Sequence, residues 1–348
     1  MEALRFTGQT KVLEYVQIPV PKISKPDQVL IKVAYAGLCG TDLHIIEGSF
    51  PCNPGTITLG HEFTGTIVDI GSAVINVKKG DRVVVDPNDG CKCCDHCHNG
   101  NYHYCNIGGI DNTIGIHQNG GFATYALVPT TAVTKVPESI PPEQAALAEP
   151  ISCLSHGWDM LGPVPVGSRI LIIGAGIIGN LWACLLHLSG HRKVTVSEPN
   201  INRLNYLKKL DVGFDLVTPD QLQKKRDADP NGYGFEVVVD CSGFCPAVEQ
   251  GLSMLTKGGK LCCFGIAPPD KTISVSTFDL YVREITIFAV NINPFSMVKS
   301  IGFIEAMGKR YLEYGRLGIQ VFDLKDYKTA LEALKAGTIA KAMFRLEQ

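Results

Sequence analysis

The sequence predicts an α/β protein in two parts, a β-rich domain followed by a doubly wound parallel sheet. Three observations predict it. At 348 residues the chain exceeds the roughly 250–300 at which a single hydrophobic core stops growing. Its opening third reads as strand and turn, whereas beyond Pro163 short apolar runs alternate with helical patterns, as in a sheet covered by helices on both faces. A glycine turn, Gly174-Ala-Gly176-Ile-Ile-Gly179, then joins the first of those apolar runs to the first helix.

Taken in order, Val29 to Ala36, Phe63 to Ile70 and Arg82 to Val85 are β-branched runs closed by Gly, Asp or Pro, and read as strands. In the second part Arg169–Ile173, Lys193–Val196, Glu236–Asp240 and Gly259–Gly265 read as strands, with helices over Leu181–Leu188 and Arg203–Leu210. The last stretch carries helix patterns at Met297–Met307 and Tyr327–Ala336 and a terminal strand near Ala342–Leu346, placed back on the first domain. The expected division is 1–152, 153–290 and a returning segment, 291–348.

Hydrophobic residues at 45% and charged residues at 19% describe a folded globular chain rather than a disordered one. A net charge of -2 offers no electrostatic footprint for nucleic acid or an anionic membrane, which leaves a small molecule as the expected partner. The first residues lack a signal-peptide pattern and no stretch is apolar for long enough to span a bilayer, so the expected location is cytoplasmic. In that setting the thirteen cysteines point to metal rather than to disulfides wherever they cluster.

Cys91, Cys94, Cys97 and Cys105 are spaced C-x2-C-x2-C-x7-C in a polar loop, a pattern that lets four thiolates surround one zinc with no open position, hence a structural site. Cys93 is the spare cysteine of the group, and an iron–sulfur cluster is the chemical competitor. The glycine turn, entered from a buried strand and followed by an apolar helix, suits a dinucleotide: its pyrophosphate approaches the glycine backbone at the helix N-terminus. Glu198 follows at about the ~20-residue distance at which an acidic residue accepts the ribose hydroxyls. A carboxylate there favours NAD, and Arg203, otherwise a solvated helix residue, keeps NADP as the alternative.

Cys39, in Gly37-Leu-Cys39-Gly40-Thr41-Asp42-Leu-His44, and the pair His61-Glu62 offer three metal ligands from two turns, enough for a catalytic zinc with an open position. Each has a plainer reading alone: a buried thiol, a core histidine, a capping carboxylate. Together with the cofactor turn they favour a metal that binds an alcohol oxygen and lowers its pKa, so that hydride can leave. Thr41 and His44 then read as a proton relay. Glu149, in Ala148-Glu149-Pro150, adds a carboxylate near the domain junction, or simply a solvated one at a helix boundary.

In this order the motifs resemble the zinc-containing medium-chain dehydrogenase/reductase family, and within it the threonine dehydrogenase-like and polyol (sorbitol, arabinitol) dehydrogenase branch. The resemblance spans nearly the whole chain. It implies a GroES-like β-rich catalytic domain and a Rossmann cofactor domain; Cys39, His61 and Glu62 as catalytic zinc ligands; and Glu149 as an alternative ligand or partner of bound water. It also implies cofactor contacts at Gly174, Gly176, Ile178, Gly179, Glu198, Arg203 and the Phe264-Gly265-Ile266 turn, and a homo-oligomer, dimer or tetramer. One departure bears on substrate. Sorbitol dehydrogenases carry an Arg-Tyr pair where this chain has Ile292-Asn293, which sets sorbitol itself aside. The expected activity is NAD-linked oxidation of a small secondary alcohol, a polyol, to the ketone. L-Threonine 3-dehydrogenase or vicinal-diol dehydrogenase activity is the enzymatic alternative, and a catalytically silent nucleotide-binding protein the non-enzymatic one.

Overall fold

A computed structural model describes residues 1–347. Before residue 140 the chain forms β1 (Glu2–Thr7), β2 (Val12–Gln17), β3 (Gln28–Leu38), β4 (Thr56–Thr58), β5 (Glu62–Ile70), β6 (Arg82–Val85), β7 (Tyr125–Pro129) and β8 (Val133–Lys135). β1 pairs antiparallel with β2 and β4 in a small sheet. β3 is the spine of a larger one, antiparallel to both β5 and β7. Its fully buried Val29, Ile31 and Val33 alternate along the strand and pack with Phe6, Leu59, Phe63 and Phe122, the alternation of a sheet with one face on a core.

The second sheet is entirely parallel: β9 (Ile170–Ile173), β10 (Val194–Ser197), β11 (Asp215–Val217), β12 (Phe235–Asp240), β13 (Leu255–Cys263) and β14 (Thr286–Ala289), in the order β11-β10-β9-β12-β13-β14. Successive residues of β9 serve opposite cores. Ile170 and Ile172 pack with Leu181, Trp182 and Val196, whereas Leu171 and Ile173 pack with Leu222, Val248 and Leu252. That is why this strand is apolar at every position: both faces are roofed by helices. The chain then returns to the first sheet. β15 (Ile319–Asp323) pairs with β16 (Lys341–Arg345), and β16 lies antiparallel to β3.

The structure departs from the sequence expectations in places that matter for the site. The helix after the glycine turn begins at Ile177, not Leu181, so the turn feeds straight into it. β13 starts earlier and stops at Cys263, which leaves Phe264-Gly265-Ile266 outside the strand. A helix, Ala148–Leu161, runs where none was expected. Pro150 in its sequence reads as a breaker, yet it lies in the first turn, where a missing N–H costs nothing. The cysteine loop is not free of helix either, for it contains a short turn at Asp95–His98 and a 3-10 turn at Tyr102–Tyr104.

Gly179 shows how tightly the cofactor turn is closed against its helix. A Cβ built there would lie 2.0 Å from the carbonyl oxygen of Gly174. Gly179→Ala is therefore expected to push helix and strand apart and to cost about 1–3 kcal/mol, the usual penalty of overpacking. Denaturant unfolding of the two proteins measures it, and equal stability would contradict this account of the turn.

Candidate active site

Cys39 stands at the end of β3, immediately before the helix Gly40–Glu47, and His61 and Glu62 stand at the start of β5. Because Gly37 and Glu62 are cross-strand partners, the pairing of β3 with β5 brings the two ligand pairs together. One ligand atom each from Cys39, His61 and Glu62 lies within 4.8 Å of the others, and His61 and Glu62 are buried. Sulfur, imidazole nitrogen and carboxylate oxygen converging from rigid strands form a donor set that fits zinc. A Cβ on Gly37 would lie 2.3 Å from Glu62 Oε2, so only glycine gives this carboxylate room on the strand.

Several partners hold the ligands, and most were not read from the sequence. Asp42, fully buried, accepts a hydrogen bond from the Cys39 amide at 2.8 Å and faces His61 Nδ1 at 3.5 Å. This turns the ring so that its other nitrogen is free for the metal, as carboxylates behind histidine ligands do. Burial draws the His61 pKa down, but Asp42 and the Cys39 thiolate lift it well above its ordinary value. Lys341 on β16, 1% exposed, is ion-paired to Glu62. Asp42 was present in the quoted motif and its place three residues after Cys39 was a signal; nothing local marks Lys341.

Glu149, on the first turn of the Ala148–Leu161 helix, is 8% exposed, not a solvated boundary residue. Burial and the neighbouring Glu62 raise its pKa to about 7. Cys153, one helical turn on, donates to Glu149 Oε1 at 3.5 Å, and burial and Glu149 hold its thiol well above the ordinary range. Thr41 and His44 lie three apart on the Gly40–Glu47 helix, hence on one face. Cys39 Sγ is 3.6 Å from Thr41 Oγ1, and His44 Nδ1 is 3.4 Å from Ser49 Oγ.

The three ligands, Thr41, His44, Glu149 and Cys153 open on one cavity of about 350 Å³ between the two sheets. Ile178, Phe264, Gly265 and Ile266 line its other side. Gly174, Gly176 and Gly179 form the turn beyond them. Gly176 caps its helix with no side-chain partner for the first N–H groups, and a Cβ there would meet nothing within 4 Å, an open cradle that fits a pyrophosphate. Glu198 is 2% exposed, accepting from the amides of Ala175 at 2.8 Å and Asn200 at 2.9 Å, with Arg203 3.8 Å away.

The second ligand set, Cys91, Cys94, Cys97 and Cys105, also has its four sulfurs within 4.8 Å of one another. Cys93 stays outside it, exposed, with its sulfur 3.5 Å from that of Cys91. Residues 25–138 match the alcohol dehydrogenase GroES-like domain and residues 178–303 the zinc-binding dehydrogenase family. D-Arabinitol dehydrogenase 1 of Uromyces fabae is 32% identical, over 92% of this chain and 90% of that protein. The chain belongs to the zinc-containing medium-chain dehydrogenase family. An L-threonine 3-dehydrogenase of Pyrococcus horikoshii is 34% identical, over 96% of this chain and 95% of its own. The crystal structure of a zinc-binding dehydrogenase from Sinorhizobium meliloti 1021, bound to NADP, superposes with a TM-score of 0.89 at 30% identity and covers 99% of this chain and 98% of that one.

As a member of this zinc-containing dehydrogenase family, the chain is an NAD(P)-dependent oxidoreductase acting on CH–OH groups, with a structural zinc site at the four cysteines and a catalytic one at Cys39, His61 and Glu62. No helix among the described residues is long and apolar enough to cross a membrane.

A buried polar chain ties the cysteine lobe to the cavity. Tyr102 donates to Asp86 Oδ2 at 3.1 Å, and Asn293 donates to Asp86 Oδ1 at 3.2 Å and to Ser152 Oγ at 2.8 Å. Burial raises the Asp86 pKa to about 6, against hydrogen bonds from Asn88, Tyr102 and Asn293 that lower it; the charge of Asp89 adds to the rise.

Two predictions follow from this arrangement. Metal analysis of the purified protein is expected to find two zinc ions per chain, falling to one in Cys94→Ser; two in that variant would contradict the four-cysteine assignment. Because the folded carboxyl of Asp86 titrates above its unfolded value, its contribution is most favourable below about pH 4. It is lost as pH rises towards and through about 6, a swing of about 3 kcal/mol. Unfolding measured from pH 4 to 7 should lose that swing in Asp86→Asn.

Proposed function

We propose that the chain oxidises a small secondary alcohol of the polyol or vicinal-diol class to the ketone, with hydride passing to NAD. The observation that carries this reading is the single cavity shared by the three metal ligands, by Thr41 and His44, and by Ile178 and the Phe264-Gly265-Ile266 turn on the cofactor side. Substrate hydroxyl, proton acceptor and nicotinamide would then meet in one space. The division into a catalytic part, 1–152, a cofactor part, 153–290, and a return, 291–348, accords with β9–β14 lying inside the second and β15–β16 joining the sheet of the first.

Bound by Cys39, His61 and Glu62, zinc supplies a Lewis acid that lowers the pKa of an alcohol oxygen. The chain's own residues do the rest. Thr41 accepts the hydroxyl proton in a hydrogen bond and His44, partly exposed on the same helix face, delivers it to solvent. Glu149 bounds the ligand set as an exchangeable ligand or the partner of a bound water. Ile178 and Phe264 give the nicotinamide an apolar seat. Glu198, fixed between the glycine turn and Asn200, disfavours a 2'-phosphate and supports NAD over NADP.

Initial rates with NAD and NADP across arabinitols, xylitol, ribitol, 2,3-butanediol and L-threonine test the reading. A neutral polyol or diol is expected to be turned over with NAD, and failure of every alcohol with zinc-replete protein would favour a silent nucleotide-binding protein. Thr41→Val and His44→Ala should each lower kcat by about 10²–10⁴-fold, the usual range for a general acid–base group. NADH binding, followed by its fluorescence, should be unchanged in both; a loss of NADH affinity would point to structural damage instead of a lost relay.

A further inference from the structure

We propose that Lys341 tunes the catalytic zinc through Glu62: its ammonium shares that carboxylate with the metal, weakens it as a ligand and so leaves the zinc a stronger Lewis acid. The inference rests on the zinc assignment at Cys39, His61 and Glu62, and on the dehydrogenase reading only where turnover is measured. Lys341 does not line the cavity, so it is a positioning residue. Among the described residues it is the only buried lysine or arginine, 1% exposed. Its Nζ is ion-paired to Glu62 Oε2 and donates to the carbonyl of Leu38 at 3.4 Å, directly before Cys39.

The pair is built across a whole strand. β16 and β5 are not neighbours; β3 lies between them, and its Gly37 is cross-strand from Met343 on one side and Glu62 on the other. A Cβ on Gly37 would lie 2.8 Å from Lys341 Cε and 2.3 Å from Glu62 Oε2, so the glycine leaves the gap through which the lysine reaches the carboxylate. Stability alone gives no reason for a charge here, because apolar side chains of similar volume do as well as a buried ion pair. Control of a metal ligand does, since the partners behind the ligands set how strongly they donate. Asp42, facing His61 Nδ1, makes the imidazole a better donor, whereas Lys341 makes Glu62 a poorer one. A thiolate and a carboxylate together cancel the charge of zinc. The lysine restores a positive charge beside the place where an alcohol has to lose its proton.

The test compares the zinc-loaded protein with Lys341→Met, which keeps the stem and removes the charge, and with Lys341→Gln. Competition with a zinc chelator reads the affinity of the catalytic site, and the zinc of the four-cysteine site serves as the internal control. Lys341→Met is expected to hold the catalytic zinc about 10-fold or more tightly than the parent, the order of a one-unit rise in the basicity of a carboxylate that loses a neighbouring cation. Its kcat should fall by about the same factor. The four-cysteine zinc should be unaffected. In a Glu62→Gln background most of both effects should vanish, because the lysine then has no carboxylate to act through. Weaker or unchanged hold on the catalytic zinc in Lys341→Met would overturn the proposal and leave the lysine a structural clamp, as would effects undiminished in Glu62→Gln. If Lys341→Met does not fold, Lys341→Gln decides by the same readings, and failure of both to fold with zinc would likewise mark the pair as structural. Tighter zinc in the variant with no turnover of any alcohol by the parent would sustain the role of Lys341 and sink the dehydrogenase reading instead.

Discussion

The active site is organised by the need to neutralise buried negative charge. Cys39, Asp42, Glu62 and Glu149 converge around a single imidazole in a region almost closed to solvent. Carboxylates in such a place are tolerable only when paired. Lys341 answers part of the demand from behind, His61 part from the side, and a divalent cation bound by sulfur, nitrogen and oxygen answers the rest. The pairing of β3 with β5 and with β16 serves this arrangement: one junction supplies the ligands and the other supplies the counter-charge.

Much of this was legible in the sequence because the signals were local. The four zinc cysteines sit within fifteen residues, from Cys91 to Cys105, and their spacing alone gathers them. The glycine turn declared itself by its buried strand and apolar helix. Ile178, Phe264, Gly265 and Ile266 line the cavity that holds the metal ligands, and β13 ends earlier than its apolar pattern suggested.

What escaped was set by distance or by burial. Lys341 reads as an ordinary lysine in a terminal strand until β16 docks on β3, and only then does its ammonium meet Glu62. Asn293 reads as a loop residue; its neighbours Asp86, Asn88 and Ser152 come from more than 140 residues away. Glu149 was legible as a site carboxylate only through the resemblance, because the helix that buries it carries no local signal strong enough to set aside the solvated reading. In each case the residue type was visible, but its environment was made by packing between parts of the chain that no local pattern connects.

The position of β16 also bears on how the protein is made. Lys341 is 303 residues beyond Leu38, whose carbonyl it approaches at 3.4 Å. At a synthesis rate of about 5–20 residues per second, roughly 15–60 s pass between the emergence of the two segments. Through that interval the spine strand of the first sheet lacks one neighbour and Glu62 lacks its lysine. The amino-terminal part of a nascent chain therefore waits, with an open sheet edge and an unbalanced carboxylate, for β16 to be translated.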